Sequence, residues 1–351
     1  MIHDIVEEHL DEATWLFERL QSALRSELTS DHELLEIEDR LRAHLDGLLL
    51  GGEAAWALCR NFLAKGTPGQ VFAAGITALE WGERSHRVEL ETALTDAAGA
   101  TYDGLRWACR LTSSTEVIPF LLPQLDRPEP APRAVAIDAL TARGLDPSPS
   151  LDEALREPPG PLLIAALRGA GRLGLIRVRQ RVADLTASDD PEVCGAALES
   201  LVILDPERGC LRCREALEAE GPGAPAAASL LGLIGRAEDL PVLEKSARSS
   251  NRKLARAGAL ALGSLGDPRA VPTLIQVLGI PHLAGIAGVA LRRILGADCP
   301  EERALPADAH VESESDEAEA WSQDDDLPRL SSAAVKRWWE ENGARILQGS
   351  R

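Results

Sequence analysis

Apolar residues recur with helical spacing inside units that return about every 30 residues along the chain. The most regular unit spans 253–279, and its first half has an apolar face made of Leu254, Ala257, Gly258, Ala261, Leu262 and Leu265. Gly266 then suits the left-handed end of a helix, Asp267 suits an N-cap, and Pro268 suits the first position of a helix. The unit therefore predicts two antiparallel helices joined by a tight turn.

One leucine-like position marks each copy of the repeat. Its occurrences, 29 to 31 residues apart, are Leu79, Cys109, Leu140, Ala170, Leu201, Leu231, Leu262 and Leu291. A fixed period of this length is typical of a solenoid, in which each unit buries its apolar face against its neighbours. No run of alternating β-branched residues predicts a strand. We therefore predict an all-α chain, a right-handed α-solenoid of about eight stacked helical hairpins over 67–298.

The two ends of the chain do not follow the repeat. Residues 1–66 predict an acidic cap of amphipathic helices, and 299–330, rich in Glu, Asp, Ser and Ala, predict a flexible linker. Residues 331–351 predict a short helix that carries Trp338 and Trp339. Two interpretations of the tryptophan pair stay open: the helix caps the last repeat, or the pair docks a partner, since tryptophan is frequent in interface hot spots.

The formal net charge of −19 is concentrated at those two ends. Residues 1–50 hold 13 acids and 4 bases, and residues 301–329 hold 11 acids and 2 bases. Binding to nucleic acid depends on clustered lysine and arginine, so this balance argues against a nucleic-acid partner.

Two basic stretches interrupt the nearly neutral repeats. They consist of Arg168, Arg172, Arg177, Arg179 and Arg181, and of Lys245, Arg248, Arg252, Lys253 and Arg256. One interpretation is solvated helix ends and turns. The other is a basic spot that attracts an acidic partner protein, or the acidic segment of the chain itself.

Few motifs carry recognisable chemistry. Cys210 and Cys213 form a Cys-x-x-Cys, but no second pair of zinc ligands lies near in sequence and no strand precedes it, so buried packing is favoured over a metal or redox role. His44 lies on a predicted amphipathic helix and is expected to be a packing residue. The acidic segment 324–326 lacks the glycine and the glutamate of a calcium loop. Nucleophile elbow, P-loop and dinucleotide fingerprint are all missing from the sequence.

We therefore predict no catalytic residue, no cofactor and no metal. The candidate partner-binding residues are Arg168, Arg172, Arg177, Arg179, Arg252, Arg256, Trp338 and Trp339.

The first residues are acidic where a secretory signal would be basic, and no stretch of the chain is apolar enough to span a membrane. The six scattered cysteines fit reduced thiols. These features predict a cytoplasmic protein with no membrane span.

The segment 262–272, Leu-Gly-Ser-Leu-Gly-Asp-Pro-Arg-Ala-Val-Pro, resembles the HEAT repeat in the short form found in bacterial and phycobilisome-lyase-like proteins. The segments 38–48 and 52–59 near the start, and 324–328 and 335–339 near the end, resemble a bacterial HEAT-repeat family of unknown function. This resemblance covers nearly the whole chain and implies an α-solenoid. It also associates the chain with type VI secretion clusters of Gram-negative bacteria, and it transfers no catalytic motif.

The favoured function is that of a non-enzymatic scaffold or adaptor that binds another protein, one with an acidic patch. A HEAT-scaffold enzyme or a bilin-type small-molecule binder is the first alternative, and it predicts a deep pocket with convergent polar groups. A DNA-binding helical-repeat protein of the glycosylase type is the second, and it predicts salt-sensitive binding.

Overall fold

The computed structural model describes residues 3–26, 29–81, 83–296, 299, 327 and 330–349. The prediction of an all-α chain is confirmed, since the described residues form helices and turns and contain no strand. Among these residues, no helix combines the length and the apolarity that crossing a bilayer requires.

Nineteen α-helices succeed one another along the described chain. The first nine are α1 (His3–Ala23), α2 (Asp31–Gly51), α3 (Glu53–Cys59), α4 (Pro68–Trp81), α5 (Arg84–Thr95), α6 (Gly99–Leu111), α7 (Val117–Leu121), α8 (Pro130–Ala142) and α9 (Ser150–Ala154). The others are α10 (Pro161–Arg172), α11 (Arg179–Leu185), α12 (Pro191–Leu204), α13 (Pro206–Glu218), α14 (Ala224–Ile234), α15 (Leu240–Ala247), α16 (Arg252–Leu265), α17 (Val271–Leu278), α18 (Ala284–Leu295) and α19 (Ser332–Gly349).

The repeat of the sequence corresponds to a regular succession of longer helices. The helices α4, α6, α8, α10, α12, α14, α16 and α18 begin 28 to 33 residues apart. The pairs that pack on each other are α4 with α6, α6 with α8 and α8 with α10, and then α12 with α14, α14 with α16 and α16 with α18. Shorter helices, several preceded by a 3-10 turn, fill the intervals.

The predicted turn at the end of α16 is confirmed. Gly266 adopts the left-handed conformation, with φ of 71°, and the side chain of Asp267 accepts a hydrogen bond from the backbone N–H of Arg269. A 3-10 turn beginning at Pro268 then leads into α17. The sequence signal was local here, because each residue type satisfies the backbone requirement of its own position.

The chain divides into two compact units, Met1–Val182 and Ala183–Arg351, called unit 1 and unit 2 below. This division falls within 67–298, the predicted repeat region. In unit 1 the rings of Phe17 and Phe72 stack with centroids 4.2 Å apart, which joins α1 to α4 in the core. The helices α1 and α2, which belong to the predicted acidic cap, also pack on each other, and α2 begins with a capping box of Ser30 and Glu33.

The C-terminal helix α19 packs against α17 within unit 2. Trp338 and Trp339 are half-buried against the hydrophobic core of that unit, and Val335 is fully buried in it. This packing fits the interpretation in which the helix caps the last repeat. Most of the predicted linker, 301–326, lies outside the described residues.

Candidate functional site

A buried carboxylate in unit 1 collects three guanidinium groups. Asp138 lies in the middle of α8 and is only 4% exposed. Arg106 and Arg110 of α6 and Arg172 at the end of α10 form ion pairs with it. These four residues are called the arginine cluster. They belong to three helices that pack in succession, so the repeat itself brings them together.

The geometry of the cluster is a shared set of hydrogen bonds. Arg106 Nη1 donates to Oδ2 of Asp138 at 3.4 Å, and Arg110 Nη1 donates to Oδ1 at 3.3 Å. Both arginines lie on one face of α6, because residues four apart in a helix are neighbours. Arg172 Nη2 approaches the same Oδ1 at 3.3 Å from the other side of α8. One carboxylate thus holds three cations in place.

Arg172 is fixed by more than the carboxylate. Its Nη1 donates to the hydroxyl of Thr141 at 2.7 Å and to the backbone carbonyl of Asp138 at 3.3 Å. Burial, with the nearby charges of Arg110 and Arg168, lowers the pKa of Arg172, and Asp138 opposes that shift. The lowered pKa shows that burial, together with repulsion from Arg110 and Arg168, outweighs the attraction of Asp138.

Aromatic side chains support the cluster from α6. The guanidinium carbons of Arg106 and Arg110 lie 5.0 Å and 5.3 Å from the ring centroid of Trp107, within the range of cation–π attraction. The hydroxyl of Tyr102 is also close, and burial raises the pKa of this phenol to about 12 against the opposing charge of Arg106. Tyr102 therefore stays neutral and adds no negative charge.

The cluster is suited to binding anions. It holds three positive charges against one negative charge, and the side chains of Arg106, Arg110 and Arg172 are 22%, 30% and 27% exposed. Each guanidinium is a planar fork of several donors, and Arg106 and Arg110 each use one nitrogen on Asp138. Their remaining donors match the two oxygens of a carboxylate or a phosphate.

The structure separates the predicted binding residues. Arg172 belongs to the arginine cluster, and Arg168 is an exposed residue of α10 whose charge acts on Arg172 and Tyr102. Arg177 lies after the end of α10 and pairs instead with Asp146 at 3.0 Å and Asp152 at 3.2 Å.

The hydrogen bonds that Arg177 donates to Asp152 and Asp146 raise its pKa, and Arg177 also donates to the hydroxyl of Ser148. Two carboxylates thus neutralise this arginine. Arg172 and Arg177 lie in one basic stretch of the sequence. In space, Arg177 belongs to a different ion-pair group from Arg172.

The other predicted residues lie elsewhere. Arg179 is exposed at the start of α11. In unit 2, Arg252 begins α16 and is exposed, whereas Arg256 of the same helix is half-buried. Burial, with a smaller contribution from the charge of Arg252, lowers the pKa of His282. Trp338 and Trp339 pack on the core of unit 2, as described above.

Sequence reasoning missed Arg106, Arg110 and Asp138, although the repeat contained the signal. Asp138 precedes its repeat anchor Leu140 by two residues, and Trp107 precedes Cys109 by the same interval. Superposing the repeats would therefore have placed Asp138 beside α6 and its arginines.

None of the described cysteines forms a disulfide. Cys213 is fully buried on α13, and burial raises its pKa to about 12, whereas Cys210 is half-buried. Burial likewise raises the pKa of Cys59 and Cys109 to about 12.

A thiol reagent will distinguish these positions. Because the thiolate is the reactive form, we expect Cys210 to react first in the native protein at pH 8, and Cys59, Cys109 and Cys213 to react only on unfolding. Mass spectrometry of alkylated peptides over time measures this order. Early alkylation of Cys213 would contradict its burial.

Two grooves lie among the described residues. One of about 260 Å³ in unit 1 has an acidic rim, which includes Asp39, Asp46 and Glu80. The other, of about 670 Å³ in unit 2, runs between the turn at 265–269 and Leu347 of α19. Its charged groups, Asp267 and Arg269, bond to each other at 2.5 Å, so they do not converge on a ligand.

Comparison with known proteins adds no constraint on the function. No protein-family model matches the chain, and no curated protein matches it.

Proposed function

We propose that this protein is a non-enzymatic scaffold or adaptor that binds another protein through an acidic segment of that partner. The arginine cluster of unit 1 is the proposed recognition site, with Arg106 and Arg110 as its main ligand-binding side chains and Arg172 beside them. The observation that carries the proposal is the convergence of three partly exposed guanidinium groups on one buried carboxylate.

The fixed geometry of the cluster favours specific binding of a ligand over nonspecific electrostatic attraction. Asp138, Thr141 and Trp107 hold the guanidinium groups before any ligand arrives, so binding loses little side-chain entropy. A flexible lysine patch would have to be ordered on binding. Arginine forks also discriminate carboxylates by their two parallel hydrogen bonds. An acidic peptide segment matches this surface in charge and in geometry.

The handedness of the repeats, the location of the protein and its bacterial origin are parts of the same proposal. Right-handed stacking of HEAT-like hairpins is proposed from the repeat period and the turn signature of the sequence. A cytoplasmic location is proposed from the free thiols, which persist in reducing compartments. The bacterial origin and the link to type VI secretion are proposed on the sequence resemblance alone.

The proposal predicts selective loss of acidic-peptide binding when the cluster loses charge. We expect a fluorescent oligoglutamate peptide to bind the wild-type protein, and the double variant Arg106→Gln with Arg110→Gln to bind it at least about tenfold more weakly, since each lost charge-assisted hydrogen bond contributes about 1.5 kcal/mol or more. Fluorescence anisotropy at several salt concentrations measures the affinity.

The matched control is Arg177→Gln, which removes one positive charge from the same unit at an arginine already neutralised by Asp146 and Asp152. We expect its affinity for oligoglutamate to equal that of the wild type, and an oligolysine peptide to bind none of the proteins at this site. Equal weakening by both sets of substitutions would mean that binding follows overall charge and not the cluster.

A further inference from the structure

We propose that unit 1 contains a binding site for a divalent transition-metal ion, formed by Glu53, Glu83 and His86. Each offers one ligand atom, a carboxylate oxygen or a ring nitrogen, and these atoms lie within 4.8 Å of one another. The site is separate from the arginine cluster and does not depend on the function proposed above.

The fold brings the three residues together from two helix beginnings. Glu53 is the first residue of α3, and Glu83 lies immediately before α5, of which His86 is the third residue. Gly52, with φ of 56°, turns the chain into α3, and a Cβ built on it would lie 3.7 Å from the ring of Trp81. This close approach places the start of α3 beside the turn that leads into α5.

His86 is the observation that distinguishes this group from an ordinary acidic surface. It is only 3% exposed, and its Nδ1 is buried without a hydrogen-bond partner. A buried polar atom without a partner destabilises a fold, so such atoms call for a ligand or a functional explanation. A metal ion held jointly with the two glutamates would provide that partner.

Two indole rings fix the imidazole. The ring of His86 lies between Trp56, at a centroid distance of 4.3 Å, and Trp81, at 4.8 Å. Such packing holds the ring in one orientation and shields one side of the site from water. The other side of the site is open to solvent, since Glu53 and Glu83 are exposed. Their oxygens need to move inward, because metal–ligand distances are about 2.0–2.2 Å.

The donor set indicates the class of metal. An imidazole nitrogen with two carboxylate oxygens suits Zn²⁺, Co²⁺ or Ni²⁺, whereas Mg²⁺ and Ca²⁺ prefer sites made of oxygen alone. Three protein ligands leave one position of a tetrahedral ion open to water. We therefore expect a site that prefers Zn²⁺ and retains an exchangeable water.

The test is calorimetric titration of tag-free, full-length protein with Zn²⁺. We expect one saturable site in the wild type, and at least about tenfold weaker binding in the double variant Glu53→Gln with Glu83→Gln. Both substitutions are at exposed positions and keep side-chain size, so folding should persist and is checked by circular dichroism. The matched control, Glu8→Gln with Glu18→Gln, removes two exposed carboxylates from α1 and should keep the wild-type affinity.

Two further measurements identify the ligands. Zn²⁺ should raise the melting temperature of the wild type and of the control but not that of the Glu53 and Glu83 variant. The Co²⁺ form should show d–d absorption without a thiolate charge-transfer band, which excludes the cysteines. The proposal is overturned if the wild type shows no saturable site, if the Glu53 and Glu83 variant binds as tightly as the control, or if the Co²⁺ spectrum reports thiolate.

Discussion

Replacing Asp138 by asparagine should lower the free energy of unfolding of unit 1 by about 2–3 kcal/mol. The carboxylate is 5% exposed and is the shared ion-pair partner of Arg106, Arg110 and Arg172. Asparagine keeps the shape but removes the charge, and its amide would point donors at guanidinium groups that are also donors. The expected loss is at the lower edge of the range for buried ion pairs, because the guanidinium groups keep contact with water.

Urea unfolding followed by hydrogen exchange measures this loss and assigns it to unit 1. The matched control is Asp152→Asn, which removes the same group from the more exposed pair with Arg177 and should cost under about 1 kcal/mol. Equal losses in the two variants would show that Asp138 does not organise the cluster.

A second substitution separates charge repulsion from lost packing. If the cost of Asp138→Asn arises from uncompensated cations, adding Arg106→Gln should recover part of the stability, whereas the same change in the wild type should lower it. Such a change of sign is the coupling that a double-mutant cycle detects. Additive losses would assign the effect to packing around α8 instead.

The sequence predicted those parts of the fold that depend on local backbone requirements. Residue types at fixed positions predict the helix end at Gly266 and the N-cap at Asp267. They also predict the regular spacing of the longer helices along the chain. These signals are local, so they need no knowledge of which side chains meet across the fold.

The candidate sites could not be predicted in the same way, because they depend on contacts between repeats. Arg172 and Arg177 are neighbours in sequence, yet α10 ends between them and their guanidinium groups find different carboxylates. Equally, nothing in the spacing of Trp56, Trp81 and His86 predicts that the imidazole contacts both indole rings. Periodicity indicated which helices are adjacent, and only the structure showed which side chains meet.

Small residues on the longer helices allow neighbouring helices to approach closely, and Gly232 of α14 is one such residue. A Cβ at this position would lie 2.6 Å from the Cα and 2.9 Å from the carbonyl oxygen of Ala261 in α16. Gly263, one repeat later, makes the same contact with Ala290. The backbones of α14, α16 and α18 thus approach through a repeated glycine-on-alanine contact.

Replacing Gly232 by alanine should therefore destabilise unit 2 by at least about 2 kcal/mol, even though alanine favours a helix over glycine by about 1 kcal/mol. The obstructing atoms belong to backbone, which cannot rotate away, so α14 and α16 must separate and lose packing along their length. Thermal and urea unfolding, with hydrogen exchange to localise the change to unit 2, measure the loss.

The matched control is Gly195→Ala in α12, where the new Cβ would meet only the Cβ of Ala226, at 3.3 Å. Here the gain in helix propensity should dominate, and stability should stay the same or rise by up to about 1 kcal/mol. Opposite signs at two helical glycines of one unit would show that stacking distance, rather than backbone freedom, selects glycine at position 232. A neutral Gly232→Ala variant would mean that α14 and α16 tolerate a wider spacing, and the close approach would then not limit the stability of the repeat.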